Sequence, residues 1–357
     1  MTIIESTRAY EAWMSARIAV IPGDIRRKHQ AMTQAPFPFL RATFYRWAQI
    51  WHEVCPGLAE APQLLAVGDL HVENFGTWRD AEGRLVWGIN DFDEAARMPY
   101  AVDLVRLATS AILARGASSL AIEPAQACEA ILAGYGAALA LGSSAFVLEE
   151  GHSRLRRLAL GAERDPVKFW QKMDRTLPTR PPPAKVRALL DGALPAGARK
   201  IRVVHRVAGL GSLGRRRYVA LAEADGGRIA REAKALLPSA YRWALEKSEG
   251  RIRYEEIVAR AIRSPDPHVR ATKGWLLRRL GPHCSRIELA DVPKERDERH
   301  VLECMGRETA NIHLGTPDQI ASIRADLKRR KPGWLLAAAE TMTEATVRDW
   351  KIWRRGR

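Results

Sequence analysis

The chain has 357 residues, of which 46% are hydrophobic and 27% are charged, and its formal net charge is +16. This composition excludes a disordered chain, and the length favours two or three subdomains over one compact core. The excess of Lys and Arg favours anionic partners such as nucleotides, nucleic acid or a membrane surface, without choosing among them.

The first half of the chain is predicted to consist of helices and a hairpin. Residues 1–65 form a helical segment, because the apolar residues of FLRATFYRWAQIWHEV recur at steps of three and four. The strand QLLAVGD leads into residues 66–177, which continue with the polar turn RDAEGR, the strand RLVWGINDFD and two helices. The proline-rich stretch at 178–199 is interpreted as a linker.

The pattern changes after this stretch. The strands IRVVHRVA, RRYVALAEA and RIAREAKAL alternate with the glycine-rich loop GLGSLG and the turn DGG, which predicts an antiparallel meander. The helix YEEIVARAIR and the strand GWLLRRL complete an antiparallel-sheet lobe at 200–290. Residues 291–357 are predicted to form a basic helical segment that completes the lobe containing residues 66–177. The fold class is therefore α+β.

The cysteines are widely separated and form no C-x-x-C pair. They are Cys55, Cys128, Cys284 and Cys304. This spacing argues against a zinc site or a disulfide framework and favours free thiols in a reducing cytoplasm. The N-terminal residues lack the pattern of a signal peptide, and the most apolar run, AILAGYGAALALG, is too short to span a bilayer. We therefore expect a cytoplasmic protein without a membrane partner.

The stretch GDLHVENF carries Asp69 and Asn74 five residues apart, on a loop that leaves an apolar strand. Phosphoryl transfer needs a carboxylate that accepts the proton of the acceptor hydroxyl and an amide oxygen that ligates magnesium. The next strand ends in INDFDEA, which adds the carboxylates of Asp91 and Asp93. We predict a magnesium site at Asn74, Asp91 and Asp93, with Asp69 and His71 as catalytic candidates. A solvated loop and hairpin is the alternative interpretation, and His71 is alternatively a hydrogen-bond partner that orders the loop.

A glycine-rich loop and a lysine suggest a phosphate site in the second half of the chain. Gly209, Gly211, Ser212 and Gly214 belong to GLGSLG, and Lys234 lies on the third strand of the meander. Glycines let the backbone approach phosphate oxygens, and lysine holds phosphates as a point charge. A strand follows the loop where a dinucleotide fold would have a helix, which favours a loop that covers ATP. The alternative is a glycine-rich turn beside a surface lysine.

Two further positions have structural and functional interpretations. Glu255 and Glu256, on the helix YEEIVARAIR, are candidates for the carboxylate that pairs with Lys234, although for either one alone we favour a solvated helix face. Asp103 lies in the first turn of a predicted helix, where the helix dipole favours an acidic residue.

The segments GDLHVENF, INDFDEA and PYAVDLVRLA together resemble the aminoglycoside phosphotransferase and choline kinase group. The chain more closely resembles an uncharacterised bacterial family known as domain-of-unknown-function family 2252, which is grouped with protein-kinase-like folds. MTQAPFPFLRA, VAGLGSLGRRRYVAL, REAKALLPSA and WLLRRL fit that family too, so the resemblance covers roughly residues 25–320. It implies a two-lobed protein-kinase-like fold.

Carried over residue by residue, the resemblance implies a role for each motif. Asp69 orients the acceptor hydroxyl, Asn74 and Asp91 ligate the metal, Lys234 anchors the phosphates, and Asp103 braces the catalytic loop. The three glycines of GLGSLG form the loop that covers the nucleotide.

The chain departs from the kinase pattern in two ways. Val67 stands where those kinases carry histidine. The glycine loop and the lysine also follow the catalytic loop, whereas in kinases they precede it. We therefore expect a circular permutation, and MGRETANIHLGT at 305–316 resembles the helix that normally leads into the catalytic loop.

These residues make an ATP- and magnesium-dependent phosphotransferase the first functional expectation. The acceptor is a hydroxyl group, more in keeping with a small molecule than with a protein. Transfer of AMP by the same residues is an open variant, and a pseudokinase that binds nucleotide without turnover is a further alternative.

Two other classes of function remain open at this stage. A metal-dependent phosphoester hydrolase would use Asp69, His71, Asp91 and Asp93 to activate water. A basic nucleic-acid-binding protein would use DLKRRKPGWLL and RDWKIWRRGR, where basic and aromatic residues interleave. For the second segment we favour a charged helix that packs Trp350 and Trp353 on the body of the protein.

Overall fold

A computed structural model of the protein describes residues 1–115, 120–160, 165–176, 181–245, 250–284 and 296–356. The fold is mixed α+β with several antiparallel sheets, which confirms the predicted class. The helices are α1 (Ile3–Ser15), α2 (Pro22–Gln34), α3 (Pro36–Ala42), α4 (Phe44–Val54), α5 (Pro56–Ala59), α6 (Tyr100–Arg115), α7 (Pro124–Leu141), α8 (Ser153–Ala159), α9 (Pro166–Asp174), α10 (Ala184–Asp191), α11 (Ala240–Ala244), α12 (Tyr254–Arg260), α13 (Arg296–His313), α14 (Ile320–Arg329) and α15 (Trp334–Arg355). The strands are β1 (Gln63–Ala66), β2 (Phe75–Arg79), β3 (Leu85–Ile89), β4 (Ala96–Pro99), β5 (Phe146–Val147), β6 (Arg199–His205), β7 (Arg217–Ala224), β8 (Gly227–Ala235), β9 (Arg270–Thr272) and β10 (Trp275–Leu280).

Two small antiparallel sheets position the loops that carry the acidic residues. Strand β1 pairs with β4, with Ala66 opposite Ala96 at the inner end. Strands β2 and β3 form a hairpin in which Phe75 lies opposite Ile89, and β5 pairs with the other edge of β3. Because β1 leads into β2 and β3 leads into β4, the connecting loops at 67–74 and 90–95 run side by side between the two sheets.

A five-stranded antiparallel sheet contains the predicted meander, in the order β6-β7-β8-β10-β9. Apolar side chains cover both faces: α9 packs on one face through Met173, and α10 packs on the other through Val186 and Leu190. Helix α10 lies within the stretch 178–199 that was interpreted as a linker, of which residues 178–180 lie outside the described part. The prolines therefore precede a helix that belongs to the sheet, and the stretch is not an extended connection throughout.

Helices α7 and α13 cross at unusually close range. A Cβ atom on Gly134 would overlap the carbonyl group of Glu303, and one on Gly306 would overlap the carbonyl group of Ile131. Glycine at both positions therefore lets the two backbones touch. This contact fixes a helix from the end of the chain against one from its first half.

The C-terminal helix α15 packs against α6 and the N-terminal helices. Trp353 is buried, with its ring 5.2 Å from that of His29. Trp350 is half-buried, and the guanidinium of Arg354 lies 4.8 Å from the centre of its ring. Trp353 is thus a core residue and Trp350 packs partly against the core, in keeping with the interpretation of a packed, charged helix.

All four cysteines are free thiols, and three of them are buried. Burial raises the pKa of Cys55 to about 11 and the pKa values of Cys128 and Cys304 to about 12. Since the thiolate is the reactive form, these three side chains act as apolar packing residues. No helix in the described part of the chain is long and apolar enough to cross a bilayer.

Candidate active site

A cavity of about 790 Å³ lies between the five-stranded sheet and the two loops at 67–74 and 90–95. The acidic and amide residues that the two loops contribute to it are Asp69, Glu73, Asn74, Asn90, Asp91, Asp93 and Glu94. The basic residues that line it are Arg27, Arg41, Lys168, Lys172, Arg175, Arg206, Arg215, Arg217, Arg263, Arg278 and Arg279. A cavity lined by both carboxylates and many basic side chains suits an anionic ligand that is accompanied by a cation.

The loop after β1 is fixed by Asp103, near the start of α6. The Asp103 carboxylate accepts hydrogen bonds from the backbone N–H groups of Val67, at 2.8 Å, and Gly68, at 2.7 Å. The Nε2 atom of His313, the last residue of α13, lies 3.0 Å from Asp103 Oδ2. The Nδ1 atom of the same ring lies 2.8 Å from the hydroxyl of Tyr135. The Asp103 carboxylate thus joins the loop after β1 to α6, which carries Asp103, and to α13, which carries His313.

Asp69 follows this anchored turn and is paired with a buried arginine. The Nε and Nη2 atoms of Arg106 lie 3.1 and 2.5 Å from Asp69 Oδ1, and Nη2 also donates to the carbonyl oxygen of Leu40 at 2.8 Å. Burial raises the pKa of Asp69, and the Arg106 charge opposes this rise. Oδ2 faces the glycine loop, since a Cβ atom on Gly211 would lie 3.4 Å from it.

Asn74 and His71 stabilise the same loop in different ways. The side-chain Nδ2 atom of Asn74 donates to the backbone carbonyl of Asp69 at 2.5 Å. The backbone carbonyl of Asn74 accepts from the backbone N–H of Asn90 at 3.0 Å. The Asn74 amide group is therefore held beside the second acidic loop. His71 Nδ1 accepts from the Glu73 backbone N–H at 3.2 Å. This bond matches the interpretation of His71 as a residue that orders the loop.

Lys234 reaches the second acidic loop from β8. Its ammonium nitrogen lies 3.3 Å from both carboxylate oxygens of Asp91 and also pairs with Asp93, and the lysine side chain is fully buried. Burial acts to raise the pKa of Asp91, but Lys234 and neighbouring arginines together hold it below the ordinary value. Burial and the Asp91 charge raise the pKa of Asp93. Lys234 thus forms ion pairs with both carboxylates, and each of the three charges affects the other two.

The glutamates proposed from sequence as partners of Lys234 have other partners. Glu255 accepts from the backbone N–H of Ala271 at 2.9 Å. Glu256 pairs with Arg253 at 2.8 Å and with other arginines that neighbour it on or near α12. The expectation that one of these glutamates neutralises Lys234 is therefore wrong, because the aspartates of the acidic loop take that place.

The glycine loop at 209–214 lies above Asp69. Its backbone has positive φ angles of 74° at Gly209 and 98° at Gly214, a region that glycine adopts without strain. Ser212 Oγ accepts from Arg217 Nη2 at 2.7 Å, and Lys28 Nζ lies 3.5 Å from the carbonyl oxygen of Gly211. The loop is therefore held from the sheet on one side and from α2 on the other.

Sequence reasoning missed two arginines that join these parts. Arg106 stands three residues after Asp103 on α6, so both side chains face the loop after β1, and this spacing was a usable signal. Arg215 follows the glycine loop and lies 3.3 Å from Asp93 Oδ2, 3.1 Å from Glu94 Oε1 and 3.1 Å from the Tyr10 hydroxyl. It stands first in a run of three arginines, of which Arg215 and Arg217 are buried and Arg216 is half-buried.

Asn74, Asp91 and Asp93 have the chemistry that a magnesium ion requires. The Asp93 Oδ1 atom is buried without a hydrogen-bond partner, and the Asp91 side chain is 35% exposed toward the cavity. Magnesium takes one or two carboxylates together with phosphate oxygens and waters, so this set fits it. The described residues hold no group of three or more His, Cys, Asp or Glu side chains that could bind a metal by themselves.

One family model matches part of the chain. Residues 20–166 match the family described as "Uncharacterized protein conserved in bacteria (DUF2252)". The matched segment includes both acidic loops, Asp103 and Arg106, and it ends before the five-stranded sheet. No curated protein matches the chain, and no solved structure matches it either.

Glu308 of α13 is buried, accepts hydrogen bonds from two neutral donors and lies within the electrostatic influence of Arg263. Its Oε1 atom accepts from the Ile89 backbone N–H at 3.2 Å, and its Oε2 atom accepts from Asn311 Nδ2 at 2.9 Å. Burial raises the pKa of Glu308 to about 7. Ionisation of Glu308 is therefore harder in the folded protein than in the unfolded chain, so it lowers stability as pH rises toward and above neutral.

Replacing Glu308 with glutamine is expected to stabilise the protein at pH 8 by up to roughly 3 kcal/mol. A folded-state pKa above that of the unfolded chain means that the wild type loses stability as pH rises from about 4.5 to about 7, and glutamine cannot ionise. Urea unfolding at pH 5 and pH 8 measures the difference. Glu303→Gln, an exposed change on the same helix, is the control. A Glu308→Gln effect that is equal at both pH values would contradict the prediction.

Proposed function

We propose that the protein is an ATP- and magnesium-dependent phosphotransferase that acts on a hydroxyl group. One observation carries this proposal: Lys234 lies 3.3 Å from Asp91, 143 residues away in sequence, and Gly211 of the glycine loop lies against the carboxylate of Asp69 on the neighbouring acidic loop. Phosphoryl transfer uses three such parts: a carboxylate that faces the acceptor, a carboxylate–amide set that binds a metal, and a glycine loop with a lysine.

We further propose that these parts belong to a protein-kinase-like fold whose chain order is permuted. The support is the bracing of the loop after β1 by Asp103, the role that the kinase resemblance implies for this residue. The helix that ends at His313 contacts the same carboxylate from the C-terminal part of the chain. In the kinase order this helix would come directly before the loop, so its place near the C-terminus agrees with a permutation.

In the proposed reaction, the acceptor hydroxyl approaches Asp69 Oδ2 while Arg106 holds Oδ1. The acceptor oxygen forms a bond to the terminal phosphorus of ATP, and the bond between that phosphorus and the bridging oxygen breaks. The electron pair of the broken bond leaves with ADP, and the hydroxyl proton passes to Asp69. The raised pKa of Asp69 makes it a better proton acceptor than an ordinary aspartate.

Asn74, Asp91 and Asp93 would hold the magnesium ion, which when bound offsets the phosphate charge and orients the phosphates. Lys234 stands beside the same carboxylates as a fixed positive charge. The buried oxygen of Asp93 that has no hydrogen-bond partner supports this assignment of ligands.

A small-molecule acceptor is supported by the size of the cavity and by the chain after Asp93. A volume of about 790 Å³ is in the range of pockets that enclose small ligands. Only Glu94 and Ala95 separate Asp93 from β4, so the chain has no room there for a long activation segment.

Thermal unfolding with ATP tests the proposal. We expect ATP with magnesium to raise the melting temperature of the wild type more than ATP with a chelator. In Asp91→Asn the magnesium-dependent part should disappear, because one carboxylate ligand is lost. Asp318→Asn, an exposed change of the same kind, should respond like the wild type. No stabilisation of the wild type by millimolar ATP and magnesium would overturn the proposal, and analysis of the products for ADP or pyrophosphate would separate phosphoryl from AMP transfer.

A further inference from the structure

Three arginines surround one fully buried glutamate on the cavity side of the five-stranded sheet. Arg206 Nη1 lies 2.8 Å from Glu232 Oε1, whereas Arg217 Nη1, at 3.0 Å, and Arg278 Nε, at 2.7 Å, contact Oε2. We call Arg206, Arg217 and Arg278 the arginine cluster. All three line the cavity.

The pairing of the strands explains why these residues meet. Arg278 lies directly opposite Glu232 across β8 and β10, and Arg217 lies opposite Lys234 across β7 and β8. Residues opposite each other in an antiparallel pair point to the same face, and so do residues two apart on one strand. Arg217, Glu232, Lys234 and Arg278 therefore share the face that looks into the cavity.

The arginine cluster carries more positive charge than its surroundings neutralise. Three guanidinium groups share the single Glu232 carboxylate, and Lys234 beside them is already paired with Asp91 and Asp93. Burial lowers the pKa of Arg206, although Glu232 opposes this, and the charges of the other two arginines lower it further. An added anion would relieve this repulsion, which is stronger at these partly buried groups than it would be in water.

The arginine cluster also has the right donors for an anion and the right position. Arg206 and Arg278 keep 24% and 23% of their side chains exposed, and the buried Nε atom of Arg217 has no hydrogen-bond partner. Arg217 Nη2 bonds to Ser212 of the glycine loop, so the arginine cluster lies directly beneath that loop. Guanidinium groups bind phosphate through paired N–H donors, which suits them to a dianion.

We propose that Arg206, Arg217 and Arg278 form a phosphate-binding site that Glu232 holds in place. The site takes a phosphate group with two negative charges, either from the tail of a nucleotide or from a phosphorylated second substrate. Only the choice of a nucleotide as the source rests on the proposed function. The assignment also shifts the main phosphate contact away from Lys234, whose ammonium group is engaged by two carboxylates.

Pyrophosphate and inorganic phosphate, each without magnesium, are the probes. We expect pyrophosphate to raise the melting temperature of the full-length wild type and to bind at least about tenfold more weakly to Arg206→Gln and Arg278→Gln, because each loses a charged hydrogen-bond donor. Arg199→Gln, an exposed arginine on β6, should match the wild type. Arg206→Lys keeps the charge without the paired donors and should fall between Arg206→Gln and the wild type.

The outcomes separate this site from the proposed function. Displacement of pyrophosphate by ATP would assign the arginine cluster to the nucleotide tail, and simultaneous binding of both would assign it to a second substrate. Pyrophosphate that leaves the wild type unchanged, or that binds equally to the wild type and both glutamine variants, would overturn the site even if ATP with magnesium binds elsewhere in the cavity. If pyrophosphate binds more weakly to the glutamine variants but the wild type has no phosphotransfer activity, the phosphate site would stand and the proposed function would be rejected.

Discussion

Replacing Asp69 with asparagine is expected to lower the rate of phosphoryl transfer by about 10²- to 10⁴-fold, the usual contribution of a positioned general base. Asparagine keeps an oxygen that accepts the hydrogen bonds of Arg106, so the fold and nucleotide binding should persist. It cannot accept the hydroxyl proton. Slow transfer to water, measured as ADP release at high protein concentration, provides a rate before the acceptor is known.

The pH dependence of this rate gives an independent readout for Asp69. Because burial raises its pKa, the wild-type rate should fall on acidification at a pH above the ordinary range of aspartate, as the carboxylate takes up a proton. Asp69→Asn should lack this acidic limb, and the exposed Asp225→Asn should retain it. An unchanged rate in Asp69→Asn would reject the base. ATP binding by a wild type without any turnover would favour a pseudokinase.

Replacing Asp103 with alanine is expected to lower the free energy of unfolding by about 3–5 kcal/mol. The change removes the acceptor for the Val67 and Gly68 backbone N–H groups and the partner of His313 Nε2, all of which are buried. Each buried donor left without a partner costs about 1–3 kcal/mol. Urea unfolding, extrapolated to water, measures the loss.

A double-mutant cycle tests whether the Asp103 loss has this origin. His313→Ala removes the other side of one contact, so the Asp103→Ala/His313→Ala variant should be less destabilised than the sum of the two single changes. Asp103→Asn keeps one acceptor oxygen but turns an amide N–H₂ toward a donor, so its effect should be intermediate. A loss below about 1 kcal/mol in Asp103→Ala would show that the loop does not depend on this carboxylate.

The sequence was most informative where chemistry and local pattern coincide. The interval between Asp69 and Asn74, the apolar strand before it and the hairpin that leads to Asp91 are all local features, so the two acidic loops could be predicted side by side. The alternation of the meander strands likewise predicted most of the five-stranded sheet.

Contacts between distant segments could not be predicted in this way. Glu256 is next to arginines at three- and four-residue steps and pairs with them, whereas the partners of Lys234 come from a loop in the first half of the chain. Nothing in the local sequence shows that Arg206 and Arg278, 72 positions apart, share one carboxylate. Helix α10 was missed because the prolines before it dominate the pattern, although Val186 and Leu190 stand four residues apart.

The close crossing of α7 and α13 has a consequence for folding during synthesis on the ribosome. The loop after β1 is synthesised early, but His313, which contacts the Asp103 carboxylate that braces this loop, comes 210 residues after that aspartate. A growing chain therefore exposes its carboxylate-rich segment long before the opposing cationic sheet and the final helices emerge. Since such long-range contacts form slowly, the site should be complete only after α13 has been synthesised, and the nascent intermediate before that point is the stage most open to chaperones and proteases.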